Sequence, residues 1–370
     1  MRKWLALAAL AALAALTAAP ALGETPSKSI AERSAAKAAA ASIARVGVAL
    51  VTGAAAPALG RDTTELSTGG LAFVRNDSID IQSEQIAISP REVEIRYRLF
   101  NKSDQDVRML VAFPMPDIHL DGPDDAIALP TDDPVNLLGF STLVDGHPPT
   151  AAVEQRVTAL GIDRTGLLRS LGIPLAPHLP ATNEALGRLR PEMQDELLRI
   201  GLAEIEGNGA ARHLAARWTL QTTHYWEQLF PADAETVIEH RYRPSVGRSG
   251  QTLLGSPEQA DEPWYDEYKE KYCLEPEFVA GLVRQRKAAN SKPGAPFAEE
   301  RMDYLLRTGA SPAHPIKEFR LVIDKGAAEN LISFCSDDVK PIGGTQFLMK
   351  KTDYVPDGNI SILILERLPQ

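Results

Sequence analysis

A two-residue alternation of apolar and charged side chains constrains the fold of this chain more than any other feature. In residues 92–100, which read EVEIRYRLF, apolar side chains alternate with glutamate and arginine. Because neighbouring side chains of a strand point to opposite faces, the pattern indicates an antiparallel strand with one buried face. We therefore expect a mainly β protein. Further segments with strand patterns lie at residues 107–113, 217–227, 235–243, 319–324, 331–335, 346–354 and 359–367.

Turns and a helical stretch interrupt this β pattern. We predict a hairpin over residues 138–157 that turns at Asp145-Gly146, because this dipeptide favours a tight turn. Between about residues 161 and 212 the apolar spacing becomes helical, and Pro191 marks the start of one helix. This stretch is too short to bury much core by itself, so we expect a helical insertion and not a separate domain.

The C-terminal part combines helices with strands. A stretch containing Gly, Ser and Pro at residues 245–263 is the best candidate for a linker. We predict two short helices after it, one that begins at Pro276 and one that carries Met302, Leu305 and Leu306. Residues 360–365 are apolar on both faces, which predicts a strand in the centre of a sheet.

The N-terminus has the three parts of a secretory signal peptide. A basic start, an apolar run and small residues near a cleavage site occupy residues 1–23. The apolar run is too short to cross a bilayer, so no stable transmembrane segment is expected after processing. We predict an exported protein, in the periplasm or outside the cell. Because no cysteine directly follows the cleavage region, a lipid anchor is not expected.

The end of this signal occurs twice in the sequence. AAPALG at residues 18–23 recurs at residues 55–60, after a second apolar run. Residues 24–60 are then an Ala-rich spacer, a second signal-like segment with cleavage near residue 60, or the sign of a start codon assigned too early. All three alternatives place the folded protein after about residue 61.

The charge of the chain excludes one class of partner. The net charge is −10, and both leading segments are basic, so the remainder is more acidic still. An acidic surface repels phosphate backbones and anionic membranes, so nucleic-acid binding is not expected. The sequence also lacks GxSxG and P-loop motifs, and no cofactor is predicted. Missing motifs do not exclude an enzyme, because catalytic residues are brought together in space.

The two cysteines of the chain, Cys273 and Cys335, suggest a structural role. An even number in an exported chain favours one disulfide, with two unpaired thiols as the alternative. A bond closing a loop of about 60 residues would contribute about 4 kcal/mol in the chain-entropy model. Two cysteines cannot form a zinc site alone, and their spacing is not CxxC.

Several long runs of sequence, spread over most of the chain, are distinctive. They include DDPVNLLGFSTLVDG, WTLQTTHYWEQLFPA, EHRYRPSVG and KYCLEPEF, followed by FRLVIDKG and LISFC. In this order the runs resemble the bacterial domain-of-unknown-function 4424 family over about residues 65–367. The resemblance implies an exported protein without an assigned activity, and therefore supplies no catalytic residues. It also implies that Cys273 and Cys335 form the usual cysteine pair.

Shorter motifs favour a particular architecture. Phe113-Pro114, Phe230-Pro231 and the VDG turn that ends at Gly146 resemble, more faintly, the vault/inter-α-trypsin β-sandwich domain. This resemblance implies an interaction module. We accordingly predict an α+β, mainly β chain, with an antiparallel sandwich-like domain at residues 61–250 and an α+β part at residues 262–370. Whether these form one domain or two is left open.

An acidic loop is the candidate metal site. Carboxylates at this density could hold Ca²⁺ with the weak affinity of extracellular sites, although the DxDxDG spacing is absent and acidic loops are usually just solvated. The candidate ligands are Asp117, Asp121, Asp124, Asp125, Asp132 and Asp133.

Aromatic residues before the first cysteine are the candidate partner surface. Trp264, Tyr265 and Tyr268 lie among acidic residues, and the tyrosines have helical spacing. Exposed aromatics surrounded by charge would suit a protein or glycan partner. The favoured alternative is that this stripe packs on the sandwich beside the disulfide.

The histidines give little support for catalysis. His224 and Glu227 spell HxxE, but on a strand they point to opposite faces, so we predict a core histidine. The best reading is a non-catalytic binding or envelope-associated interaction module for an unknown protein or glycan. The alternative is an exported hydrolase that uses loop residues, with His119, Asp117 or His314 as candidates.

Overall fold

Strands make up most of the regular structure, which confirms the mainly β, α+β prediction. The computed structural model describes residues 63–120, 122, 126–256, 259–288, 296–306, 314–356 and 358–368. They all belong to one compact unit, Ala55–Gln370. The predicted signal peptide and the segment at 24–60 lie outside the described residues.

The strands and helices alternate along the chain in blocks. The strands are β1 (Ala72–Phe73), β2 (Ile79–Ile88), β3 (Val93–Asn101), β4 (Val107–Pro114), β5 (Ser141–Val144), β6 (Ala152–Ala159), β7 (Ile162–Asp163), β8 (Ala203–Glu206), β9 (His213–Ala216), β10 (Thr219–Phe230), β11 (Ala234–Tyr242), β12 (Gly247–Ser249), β13 (Phe297–Leu305), β14 (Ile316–Asp324), β15 (Leu331–Phe334), β16 (Lys340–Pro341), β17 (Gln346–Tyr354) and β18 (Asn359–Arg367). The helices are α1 (Thr165–Ser170), α2 (Pro180–Gly187), α3 (Pro191–Arg199), α4 (Pro263–Tyr272) and α5 (Pro276–Ala288).

Two large sheets pack face to face around one hydrophobic core. The seven-stranded sheet has the order β16-β17-β14-β2-β3-β11-β5, and the five-stranded sheet has the order β1-β4-β10-β6-β7. Leu99 from the first sheet and Phe113 and Trp226 from the second are buried in the same core. The alternating strand sequences produce this sandwich because each strand buries its apolar face between the sheets.

Consecutive strands often lie in different sheets, which makes the predicted hairpin at 138–157 wrong. The turn at Asp145 and Gly146 forms, with positive φ at both residues. However, β5 pairs with β11, whereas β6 pairs with β10 of the other sheet. Pro148 and Pro149 follow the turn and cannot donate to a ladder, so the chain leaves the first sheet there.

A four-stranded sheet, β12-β13-β18-β15, forms a second core with α4 and α5. Its central strand β18 is buried on both faces, as predicted. Ile362 and Ile364 pack in the sandwich core, whereas Leu363 and Leu365 pack in the second core. One strand therefore connects the two cores.

The predicted helix through Met302, Leu305 and Leu306 is wrong, because residues 297–305 form strand β13. This strand pairs with β18 over its whole length. Buried Met302 and Tyr304 alternate with Arg301 and Asp303. Arg301 and Asp303 make the segment too polar to be predicted as a buried strand, but both residues form ion pairs within the protein.

The C-terminal residues are integrated into the sandwich. Strand β14 pairs in parallel with β2, and β16 and β17 extend the same sheet to its edge. The insertion between β7 and β10 contains α1, α2 and α3, whose Leu168, Leu186 and Leu197 are buried in the sandwich core. Among the helices of the described residues, none is long and apolar enough to cross a membrane.

Candidate ligand-binding cleft

A cleft lies between edge strand β15 of the four-stranded sheet and strand β17 of the seven-stranded sheet. Glu275 and Phe278, at the start of α5, line its third side. The volume is about 650 Å³. The lining residues are Cys273, Glu275, Phe278, Ile332, Ser333, Phe334, Cys335, Ser336, Asp337, Val339 and Phe347.

Aromatic and aliphatic side chains supply about half of the accessible surface of the cleft, and polar atoms supply the rest. Phe278, Phe334 and Phe347 are each half-buried and therefore partly available to a ligand. The rings of Phe334 and Phe347 are nearly perpendicular, with centroids 6.4 Å apart. Ile332 and Val339 add aliphatic surface. Small-molecule sites combine apolar walls with polar groups that orient the ligand, and the cleft offers both kinds of group.

The polar groups of the cleft fall into two kinds. The hydroxyl groups are used internally, since Ser333 donates a hydrogen bond to the Tyr272 carbonyl at 2.9 Å and Ser336 lies 2.8 Å from the Met349 sulfur. The carboxylates of Glu275 and Asp337 belong to exposed residues. Neither makes an ion pair within the described part of the chain. The carboxylates are thus the polar groups most available to a ligand.

The predicted disulfide is present and connects two walls of the cleft. Cys273 and Cys335 are bonded, with Cα atoms 5.0 Å apart. Cys273 ends helix α4 in a left-handed conformation with φ of 49°, and Cys335 directly follows β15. The bond therefore fixes the α4–α5 junction against the edge strand, so the cleft is formed before any ligand arrives.

The aromatic residues of α4 pack inside the protein, which corrects the hypothesis that they form a partner surface. Trp264 is 9% exposed and Tyr265 is 4% exposed, and both belong to the second core. The Tyr268 hydroxyl donates a hydrogen bond to Glu299 Oε2 at 2.6 Å. Helical spacing alone could not separate these outcomes, because a stripe that packs and a stripe that binds have the same period.

A set of oppositely charged residues, which we call the paired cluster, anchors α4 to β13. Lys271 Nζ lies 3.0 Å from Glu65 Oε1 and 3.2 Å from Asp303 Oδ2. Arg301 contacts Glu65 Oε2 at 3.3 Å and Glu299 Oε2 at 2.9 Å. Burial alone would raise the pKa of Glu65, but Lys271 and Arg301 hold that pKa below its ordinary value. The cluster thus keeps Glu65 charged and holds α4, whose C-cap Cys273 lines the cleft.

A second buried set, which we call the neutral cluster, lies within the sandwich and comprises Glu84, Tyr97, Tyr242, Tyr304 and His240. A β-bulge in β2 between residues 81 and 83 changes the inward-facing positions, so that Glu84 points into the core. Burial raises the pKa of Glu84 to about 8, although a hydrogen bond with Tyr97 opposes the shift. Burial also lowers the pKa of His240 to about 3.

The tyrosines of the neutral cluster hold the segment that precedes β1. The backbone N–H of Leu71 donates to the Tyr97 hydroxyl at 3.0 Å, and the Tyr242 hydroxyl lies 3.2 Å from Thr68 Oγ1. Gly70 is required here, because a Cβ at this position would collide with the Tyr97 hydroxyl. These contacts are internal, and none of these tyrosines lines the cleft.

The candidate calcium loop is only partly described. Asp121, Asp124 and Asp125 lie outside the described residues. Asp117 accepts a hydrogen bond from the Gln221 amide at 3.0 Å. Asp133 accepts hydrogen bonds from the N–H groups of residues 136 and 135, which lower its pKa. Within the described chain, no three His, Cys, Asp or Glu side chains are arranged to hold a metal ion, so the calcium site stays a prediction.

The candidate residues of the hydrolase alternative are separated. His119 Nδ1 lies 3.3 Å from Thr219 Oγ1, at the start of β10. His314 Nε2 lies 3.0 Å from the Lys102 Nζ, next to Asn101, whose amide donates to the carbonyl at the end of β10. The two histidines therefore lie near opposite ends of a twelve-residue strand. His224 faces the core with 8% exposure, as predicted.

Two smaller grooves cross the outer faces of the large sheets. The groove on the seven-stranded sheet has a volume of about 440 Å³ and is bordered by charged side chains. Its Arg96 and Arg241 are already paired, with Glu239 at 2.6 Å and Glu94 at 2.5 Å. The groove on the five-stranded sheet contains Asp117 but not His119. Neither groove has the aromatic walls of the disulfide cleft.

These features define a disulfide-bonded, mainly β protein with a preformed cleft. A family model described as Domain of unknown function (DUF4424) matches residues 61–363, so the chain belongs to this family. The fainter likeness to the vault/inter-α-trypsin domain stays a prediction. No curated protein matches the sequence significantly.

Four chains of known structure match significantly. One is a Legionella pneumophila protein described as a candidate nutrient-binding protein, with 13% sequence identity and a TM-score of 0.40. The match covers 82% of this chain and 72% of that chain. At this TM-score the likeness carries no argument about function.

Proposed function

We propose that the protein is an exported binding protein that holds a small ligand with apolar and polar parts in the disulfide cleft and does not transform it. The proposal rests on the cleft itself, whose walls combine aromatic and aliphatic side chains with polar groups. Ligand sites usually have volumes of roughly 300–1,000 Å³. The volume of about 650 Å³ falls within this range.

The rigidity of the walls supports binding. The bond between Cys273 and Cys335 joins the α4–α5 junction to β15, and the paired cluster ties α4 to β13. A preformed site loses less conformational entropy when the ligand enters, which favours affinity. The disulfide and the paired cluster both hold the end of α4, where Cys273 lines the cleft.

Export is part of the proposal and rests on the leader sequence. A disulfide is expected to persist in an oxidising compartment such as the periplasm, which agrees with export. Edman sequencing of the mature protein from a periplasmic fraction is expected to begin near residue 24 or near residue 61. An uncleaved chain that is recovered only from the cytoplasm would contradict export.

Ligand binding is tested with a fragment library and the mature protein, using NMR chemical shifts and thermal melting. We expect saturable binding of apolar fragments that is weakened at least tenfold by Phe334→Ala and by Phe278→Ala. The matched control is Phe100→Ala, which changes a half-buried phenylalanine outside the cleft. The proposal is wrong if no fragment binds, or if the cleft variants and the control bind equally well.

A further inference from the structure

The charge of the disulfide cleft is unbalanced. Glu275 and Asp337 line it, whereas no lining residue in its described part is basic. Lys351 acts on Asp337 at longer range, but its Nζ is engaged 2.6 Å from Asp338 Oδ2. Opposite charge within the protein therefore does not neutralise the two carboxylates by direct contact. A positively charged ligand would supply that charge.

The aromatic walls add a second attraction for a cation. The face of a phenyl ring is electronegative and attracts a cation within about 6 Å of its centroid. Phe334 and Phe347 both line the cleft, with their ring planes nearly perpendicular. Phe278 lines the cleft from α5. The same rings can cover apolar surface of the ligand.

From these observations we infer that the ligand of the cleft is an organic cation with an alkylated ammonium group. This inference rests on the proposed function and adds a ligand class to it. A bare metal ion is less suitable, because calcium takes six to eight oxygen ligands. An unsubstituted ammonium group is also attracted by phenyl rings, but it has no apolar surface for them to cover. An alkylated ammonium group combines a positive charge with apolar surface, and the cleft offers a partner for each.

The two carboxylates do not contribute equally. Glu275 directly precedes α5, a helix of 13 residues, and the positive end of the helix dipole offsets part of its charge. Asp337 lies in the loop after β15 and does not directly precede a helix. Asp337 is therefore the stronger determinant of cation preference, and its substitution should have the larger effect.

The test compares choline with its neutral isostere 3,3-dimethylbutan-1-ol, using isothermal calorimetry or NMR titration of the mature protein. The two probes have nearly the same shape and differ in charge. We expect choline to bind at least tenfold more tightly than the alcohol. Asp337→Asn is expected to weaken choline binding at least fivefold and to leave alcohol binding unchanged. Asp195→Asn, which changes an exposed aspartate of α3, is the matched control.

Each outcome decides between the inference and the proposed function. If choline and the alcohol bind equally to the cleft, the cation inference is overturned and the binding function stands. If Asp337→Asn leaves choline binding unchanged, the inference is overturned as well. If neither probe binds, the inference fails, and the fragment screen with Phe334→Ala decides separately whether the cleft binds any ligand.

Discussion

The paired cluster and the neutral cluster bury polar groups in two different ways. In the paired cluster, Glu65 and Arg301 remain charged because opposite charges from three chain segments meet at 2.9–3.3 Å. In the neutral cluster, Glu84 has no cationic partner among the described residues, and burial moves its pKa toward the uncharged form. His240 is affected by burial in the same sense.

The difference has a structural consequence. The strength of an ion pair depends on the position of the partner charge. The paired cluster therefore stabilises the fold only when α4, whose end reaches the cleft, is in place. A buried neutral group depends instead on pH, because charging it in the core is costly. Removal of one partner should therefore affect the first cluster most, and a change of pH should affect the second.

The largest expected effect follows from Arg301→Met. This substitution leaves Glu65 and Glu299 without their shared cation, and breaking a buried pair typically costs about 3–5 kcal/mol. The free energy of unfolding, measured by urea denaturation, is expected to fall by this amount. The control is Arg108→Met, whose partner Glu227 lies in an exposed pair that should contribute below about 1 kcal/mol. Equal losses for the two variants would remove the distinction between buried and exposed pairs.

A somewhat smaller effect is expected when the disulfide is removed by Cys273→Ser with Cys335→Ser. The bond spans 62 residues, and a loop of this length contributes about 4 kcal/mol at most in the chain-entropy model. Engineered and native bonds often give less. Denaturation of the double variant measures this contribution, and a loss under about 0.5 kcal/mol would contradict it.

Combining the two serine substitutions with Arg301→Met shows whether the disulfide and the paired cluster act jointly on the position of α4. If they do, the combined loss differs from the sum of the separate losses, because residues that support one element are coupled. An additive loss would mean that the two devices act on α4 independently.

Glu84→Gln tests the neutral cluster when the free energy of unfolding is measured as a function of pH. The folded pKa of Glu84, about 8, exceeds its ordinary value of 4.5, so the folded state binds more protons between these values. The contribution of Glu84 to the free energy of unfolding is fully present below about pH 4.5 and is lost as the pH rises toward about 8. We expect Glu84→Gln to remove a decline of about 1 kcal/mol per pH unit from the unfolding free energy between pH 5 and 8. Glu94→Gln, at an exposed position of β3, is the matched control.

The sequence predicts the strands well because each one depends on a local two-residue pattern. It predicts β18 as a central strand since residues 360–365 are apolar on both faces. It does not predict β13, because Arg301 and Asp303 make the segment polar and only their distant partners explain their burial. The pairing of β5 and β6 with different sheets is likewise set by long-range contacts that a local turn signal cannot report.

The cleft could hardly be predicted from the sequence, because long-range contacts bring its residues together. Phe278, Phe334 and Phe347 are separated in the chain and look like ordinary core residues of a helix and two strands. The useful signal was the cysteine pair, because Cys273 and Cys335 were expected to bring their neighbours together. The residues adjacent to the two cysteines include Glu275 and Phe334. They do not include Phe347, which lies on β17 of a different sheet.

The smallest expected effect concerns His240→Asn at acidic pH. The folded pKa of His240, about 3, lies below its ordinary value of 6.5, so its stability contribution is complete above about pH 6.5 and is lost as the pH falls toward 3. Asparagine can replace the hydrogen bond between Nδ1 and Thr142 Oγ1, which is 3.0 Å long, without titrating. Burial also lowers the pKa of His178 and His224, so the variant should remove only part of the acid decline, below about 1.4 kcal/mol per pH unit. Urea denaturation between pH 4 and 7 measures the slope. An unchanged slope would show that folding does not lower the pKa of His240, and the contrast with the paired cluster would then be restricted to Glu84.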